Sequence, residues 1–134
     1  MANTITKQTL VDDIRKTVVK ITIVGDGSGE ETNYVLYDAS SYTHNSINNK
    51  LMKLEYALNG FTANLNWDAT ADVFIMNLLD KYPFKHCFEW FGGIINNSGT
   101  GKTGDILMTT IGLGAADVGT IILTVYKKIK NPIF

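Results

Sequence analysis

At 134 residues the chain is long enough for one domain that buries about two thirds of its unfolded surface, and too short for a second core. Hydrophobic residues make up 45% of it and charged residues 19%, which excludes a disordered chain, and a formal net charge of -1 leaves no basic footprint for nucleic acid. The single cysteine, Cys87, excludes an intramolecular disulfide and a cysteine-based zinc site, as expected of a chain folded in a reducing cytoplasm.

The first residues, MANTITKQTLVDDIRKT, contain no apolar core of signal-peptide length, and no segment approaches the roughly 20 apolar residues of a membrane span. The expectation is a soluble chain not exported by the usual signal. Residues 1–16 place Leu10, Val11 and Ile14 at helix-like spacing, but β-branched residues disfavour a helix, and they read as an extended arm. From Thr17 to Val24 the pattern alternates, with Val19, Ile21 and Ile23 on one face and Lys20 and Thr22 on the other, which predicts a strand. GDGSGEE then supplies three glycines for a turn into TNYVLYD, so the two segments are expected to form a hairpin. After the polar connection SSYTHNSINN, Met52, Leu54, Tyr56 and Leu58 alternate with Lys53, Glu55 and Ala57, predicting another strand.

Asn59-Gly60 follows, the pair favoured in type I′ turns because both central residues take positive φ; it predicts a hairpin to FTANLNW. There Phe61, Ala63, Leu65 and Trp67 form a dry face. After the turn DATAD, VFIMNLL fits either period and is assigned to a strand. FKHCFEWFGGII, DILMTTI and TIILTVYKKI supply the closing strands. Strands about ten residues apart with glycine turns between them predict an all-β single domain, a β-sandwich or small jelly-roll-like barrel of about eight mostly antiparallel strands. The domain is expected over residues 17–130, with the arm 1–16 before it and a tail 131–134 after it.

Few residues group in a way that suggests chemistry. Gly101, Lys102 and Thr103 end NNSGTGKTGD as a phosphate-binding loop ends, but Asn96 stands at the opening glycine. A strand pattern, ILMTTI, follows where such a loop needs a helix N-terminus, so the segment reads as a glycine-rich turn. Asp26, Ser28, Glu30 and Glu31 place oxygens at alternate positions but lack the remaining ligands of a calcium loop, and read as a solvated hairpin tip. Asp68 and Asp72 read as turn-capping aspartates rather than a catalytic pair. His44 and His86 have no metal-ligand spacing, and His86 and Cys87, adjacent on a strand, point to opposite faces. His86 is assigned to an aromatic face and Cys87 to core filling, while Phe84, Phe88, Trp90 and Phe91 are weighed as mostly core, with some facing a partner. No catalytic residue, metal site or cofactor is expected.

The order of motifs VVKITIVGDGSGEETNYVLYDAS, NWDATAD, FEWFGGIINNSGTGKTGDILMTTIG and GTIILTVYKK, covering Val18 to about Lys128, resembles a family of small structural proteins of tailed bacteriophages. The chain departs from that pattern at Asp13 and Ile14, where a Gly or Pro is expected, and in IKNPIF, which runs past the usual lysine end. The resemblance implies a non-enzymatic virion component, made in the host cytoplasm and placed in the virion. It would be a capsid decoration (cement) protein on the head surface, or alternatively a tail or neck subunit. Its partners would be the major capsid protein or other virion subunits, and copies of itself in a homo-oligomer such as a trimer, without nucleic acid or membrane. A small-ligand-binding β-barrel is the alternative of another class. Ile5, Leu10, Val11, Ile14, Phe91, Ile133 and Phe134 are the expected interaction residues.

Overall fold

The computed structural model describes residues 3–42, 49–80 and 83–127. They form an all-β sandwich of two antiparallel sheets. In chain order the strands are β1 (Thr4–Asp12), β2 (Lys16–Val24), β3 (Tyr34–Tyr37), β4 (Lys50–Asn59), β5 (Thr62–Trp67), β6 (Val73–Leu78), β7 (Phe84–Cys87), β8 (Ile94–Ile95), β9 (Ile106–Ile111) and β10 (Val118–Tyr126). The larger sheet runs β1-β2-β10-β4-β7, with the short β8 beside β7 along the same side of β4. The smaller runs β3-β9-β5-β6.

Period-two patterning builds the core. Val19, Ile21 and Ile23 of β2 sit beside Ile121, Leu123 and Val125 of β10 and Leu54, Tyr56 and Leu58 of β4, all buried. Against them the smaller sheet sets Ala63, Leu65 and Trp67 of β5 with Ile106 and Met108 of β9, in one continuous cluster. Full burial of each large aliphatic or aromatic side chain contributes about 1.5–3 kcal/mol. In β4 a bulge between its pairings to Thr124 and Val125 lets Leu51 and Leu54, three apart, both point inward.

The expected hairpins at GDGSGEE and Asn59-Gly60 do not form. β2 and β3 lie in different sheets, as do β4 and β5, so both segments are corners that carry the chain across the core. Gly60 has φ +97° but Asn59 is not among the positive-φ residues, so the turn is not type I′. Gly60 instead donates its amide to Asp80 Oδ1 at 2.8 Å, beside a bridge between Leu58 and Asp80.

The segment read as an arm is extended over Thr4–Asp12 and paired there with β2, so residue 16 begins the second strand of a hairpin. The strand assignment for VFIMNLL holds over Val73–Leu78. FKHCFEWFGGII is not one strand: β7 stops at Cys87, and a 3-10 turn, Glu89–Phe91, ends on Gly92 at φ +90° before β8. His44, Ile133 and Phe134 lie outside the described residues.

Candidate association surfaces

The residues that resembled a phosphate loop are a packed connection. Lys102 donates its amide to Gly99 O, Thr103 its amide and hydroxyl to Asp68, and Thr70 its amide to Thr100 O. Gly101, at φ +82°, lies against Thr70, where a Cβ has no room. Asn96, at the position of the missing glycine, is buried and accepts from the amide and hydroxyl of Ser98. β9 follows at Ile106, so a strand and not a helix N-terminus comes after this loop.

The acidic tip is at the surface, as expected, with Ser28 and Glu30 exposed, but its carboxylates are tied down. The Glu30 carboxylate accepts from Thr110 Oγ1 at 2.7 Å and from the amides of Gly112 and Leu113 at 2.7 and 3.0 Å. Burial raises its pKa, but those three donors outweigh it and hold the carboxyl below the usual range. Glu31 accepts from Asn3 Nδ2 at 2.9 Å, and Asp26 Oδ1 from the Ser28 amide. Asp72 caps the Ala69 amide at 3.1 Å, as expected of a turn aspartate. No group of three or more His, Cys, Asp or Glu among the described residues converges as a metal site.

Two surfaces stand out. The first is the outer face of the larger sheet along its middle strand. β10 lies between β2 and β4 and turns Val118, Thr120, Ile122, Thr124 and Tyr126 outward, all partly or fully exposed and none charged. Val118 pairs with Val24 of β2, and both are exposed. Where β10 meets β4 and β7 this face carries an open groove of about 330 Å³ whose lining includes Glu55, Ala57, Pro83, Lys85, Thr120 and Ile122.

The second is the edge formed by β7, the 3-10 turn and β8. Leu54 pairs with His86 and Tyr56 with Phe84, so these β7 side chains lie on the core side of the sheet. The rings form a row: Phe84 stacks on His86 at 4.9 Å and His86 on Phe88 at 6.0 Å, and Phe88 meets Phe91 at 5.9 Å, with Trp90 edge-on to Phe91 at 4.7 Å. The assignment of this cluster to the core fails for most of it: Trp90 is 84% exposed, Phe91 50% and Phe84 42%. The reason is position, because β7 is an outermost strand of the larger sheet. Cys87 is likewise exposed, not core, on the face opposite His86, and pairs with Lys53.

Of the other expected interaction residues, Leu10 and Ile14 are exposed at the far edge, Leu10 where β1 bulges between Thr9 and Val11. Ile5 and Val11 are half-buried, Ile5 against the core. Periodicity missed the outward row of β10, because its face is half apolar and only the order of strands shows which side is covered. No protein-family model matches the chain, and no curated protein sequence matches it. No helix among the described residues is long and apolar enough to cross a membrane.

Proposed function

We propose that this chain is a structural subunit of a tailed-phage virion, a decoration protein that lays the outer face of its larger sheet on the capsid shell. The observation that carries the reading is the uncharged row Val118, Thr120, Ile122, Thr124 and Tyr126 on the middle strand of that sheet. The row is uncharged along its length, as the core of an association surface is, and Lys20 and Glu55, which flank Ile122 on β2 and β4, and Lys53, beside Thr124, border it with charge of both signs. The motif order from Val18 to about Lys128 supplies the choice of a virion. The interior of the sandwich is filled by side chains, which favours a surface function over a ligand held between the sheets.

The test is binding to capsid shells of the phage that encodes the chain, read by co-sedimentation. The native chain is expected to pellet with shells, and Ile122→Glu, which puts a charge into the uncharged row beside Glu55, to remain in the supernatant with an unchanged circular dichroism spectrum. A native chain that stays unbound, and is missing from purified virions by mass spectrometry, overturns the reading.

A further inference from the structure

A sandwich has four sheet edges, here β1 and β7 for the larger sheet and β3 and β6 for the smaller. Edges that must stay unpaired are commonly bulged or guarded by an inward charge. Three of the four carry a register shift: β1 at Thr9/Val11, β3 at Val35/Tyr37, and β6 opposite Leu65/Asn66. Lys7 of β1, which pairs with Ile21 and so points to the core side, also donates to Val35 O at 2.6 Å and lies over the Tyr34 ring, closing the side between β1 and β3. β7 has neither device. Its register on β4 runs without a shift from Phe84 to Cys87, and no strand among the described residues pairs with its far side.

Its hydrogen-bonding groups can be assigned. Phe88 donates its amide to Met52 O at 2.8 Å, in the register that sets His86 opposite Leu54. Backbone groups alternate in direction along a strand, so those of His86 face β4 and those of Lys85 and Cys87 face outward.

We infer that β7 is a self-association edge, on which two copies of this chain join β7 to β7, antiparallel, about a two-fold axis at His86. Symmetry and side-chain parity select the register. Residues directly opposite share a face, so the axis must pass through a residue pair and not between two. Centred on Lys85, the pairing sets like charges opposite each other and places Cys87 against Pro83, which has no amide to donate. Centred on Cys87, it sets Lys85 against Glu89, already inside the 3-10 turn. Centred on His86, it sets Lys85 opposite Cys87 twice, each pair exchanging two main-chain hydrogen bonds, and places Phe84 opposite Phe88, so that the aromatic rows of both copies join on one face.

Charge does not oppose this. On the other face Lys85 already lies 3.8 Å from Glu55 and Lys53 3.5 Å from Glu89. Area is in proportion: the exposed parts of Phe84, Trp90 and Phe91 come to roughly 350 Å² per copy, close to half of the about 800 Å² that each partner gives a standard interface. A closed two-fold uses both β7 edges and leaves the outer face of β10 free, so the inference goes beyond the virion reading and does not depend on it.

The experiment is sedimentation velocity on the purified full-length chain, without particles, so that its outcome is separate from shell binding. A concentration-dependent dimer is expected below about 100 μM. Cys87→Pro removes an outward amide that β4 does not use, and is expected to give monomer at the same concentration. Cross-linking keeps the proposal testable should that variant misfold. In a Cys87→Ser background, His86→Cys sets two thiols across a non-hydrogen-bonded pair, where Cα atoms about 4.5 Å apart fall within disulfide range, and should oxidise to a covalent dimer; Lys85→Cys in that background should not. A native chain monomeric at about 100 μM overturns the inference, as does a Cys87→Pro dimer or faster cross-linking through position 85 than through 86.

Discussion

Lys127 places its ammonium 2.6 Å from Asp12 Oδ1 and 2.7 Å from Asp13 O, with its side chain 1% exposed. The end of β10 is thereby joined to the β1–β2 turn, where the Lys127 amide also bonds Arg15 O at 2.7 Å.

Removing one partner of a buried pair leaves the other charge desolvated, at a cost of about 3–5 kcal/mol when both are fully buried. The Asp12 side chain is 22% exposed and retains some water, so Lys127→Ala is expected to cost about 2–4 kcal/mol in urea unfolding. A loss under about 0.5 kcal/mol would place this contact with ordinary surface pairs.

Tyr37 predicts an alkaline limit to stability. It is 1% exposed, and burial pushes its hydroxyl up to about 12, against an opposing hydrogen bond from Thr17. In the unfolded chain a tyrosine titrates near 10, so between about 10 and 12 the folded state holds the extra proton and stability falls as pH rises. Burial also raises Tyr34 and Tyr42, so absorbance titration should show Tyr37 as the last of the six tyrosines to ionise, or ionising only with unfolding. Tyr37→Phe should flatten the decline in melting temperature over that window.

What the sequence disclosed depended on how local the determinant was. Alternation in TVVKITIV and FTANLNW specified strands and their buried faces, because strand period and side-chain polarity lie in adjacent residues. Pairing partners were hidden. Glycine corners such as GDGSGEE look alike whether the chain folds back on itself or crosses to the other sheet, and contacts such as Glu30 with Leu113 join residues far apart in sequence. The aromatic run after Pro83 was misassigned for the same reason. Its composition is that of a core strand, and only the sheet order makes it an edge.

Glu30 makes an acid counterpart to Tyr37. Its carboxyl is held below the usual range, so its stabilisation is fully present above the unfolded value, near 4.3, and is lost as pH falls through the folded value. Glu30→Gln should cost about 1 kcal/mol at pH 7, a modest figure because the residue is exposed. The gap between variant and native chain should close as unfolding is followed from about pH 5 to pH 3. A gap constant across that range would mean that Glu30 acts through shape rather than charge.

Gly60 distinguishes the corner found here from the hairpin expected of Asn-Gly. Only Gly60 takes positive φ, its amide bonds Asp80 Oδ1, and a Cβ on it would run into the Asp117 carboxylate, which accepts from the Gly114 amide at 2.7 Å. Gly60→Val places a β-branched residue at φ +97°, a strain of about 1–3 kcal/mol, and displaces Asp117 as well. In a type I′ hairpin only the strain would apply, and Asp117 would be indifferent. A double-mutant cycle separates the two: shortening Asp117 to Ala in the Gly60→Val background should restore about 1 kcal/mol or more relative to the same change in the native chain. Equal effects in both backgrounds would show that position 60 does not approach the β9–β10 connection, and would return the segment to a hairpin within one sheet.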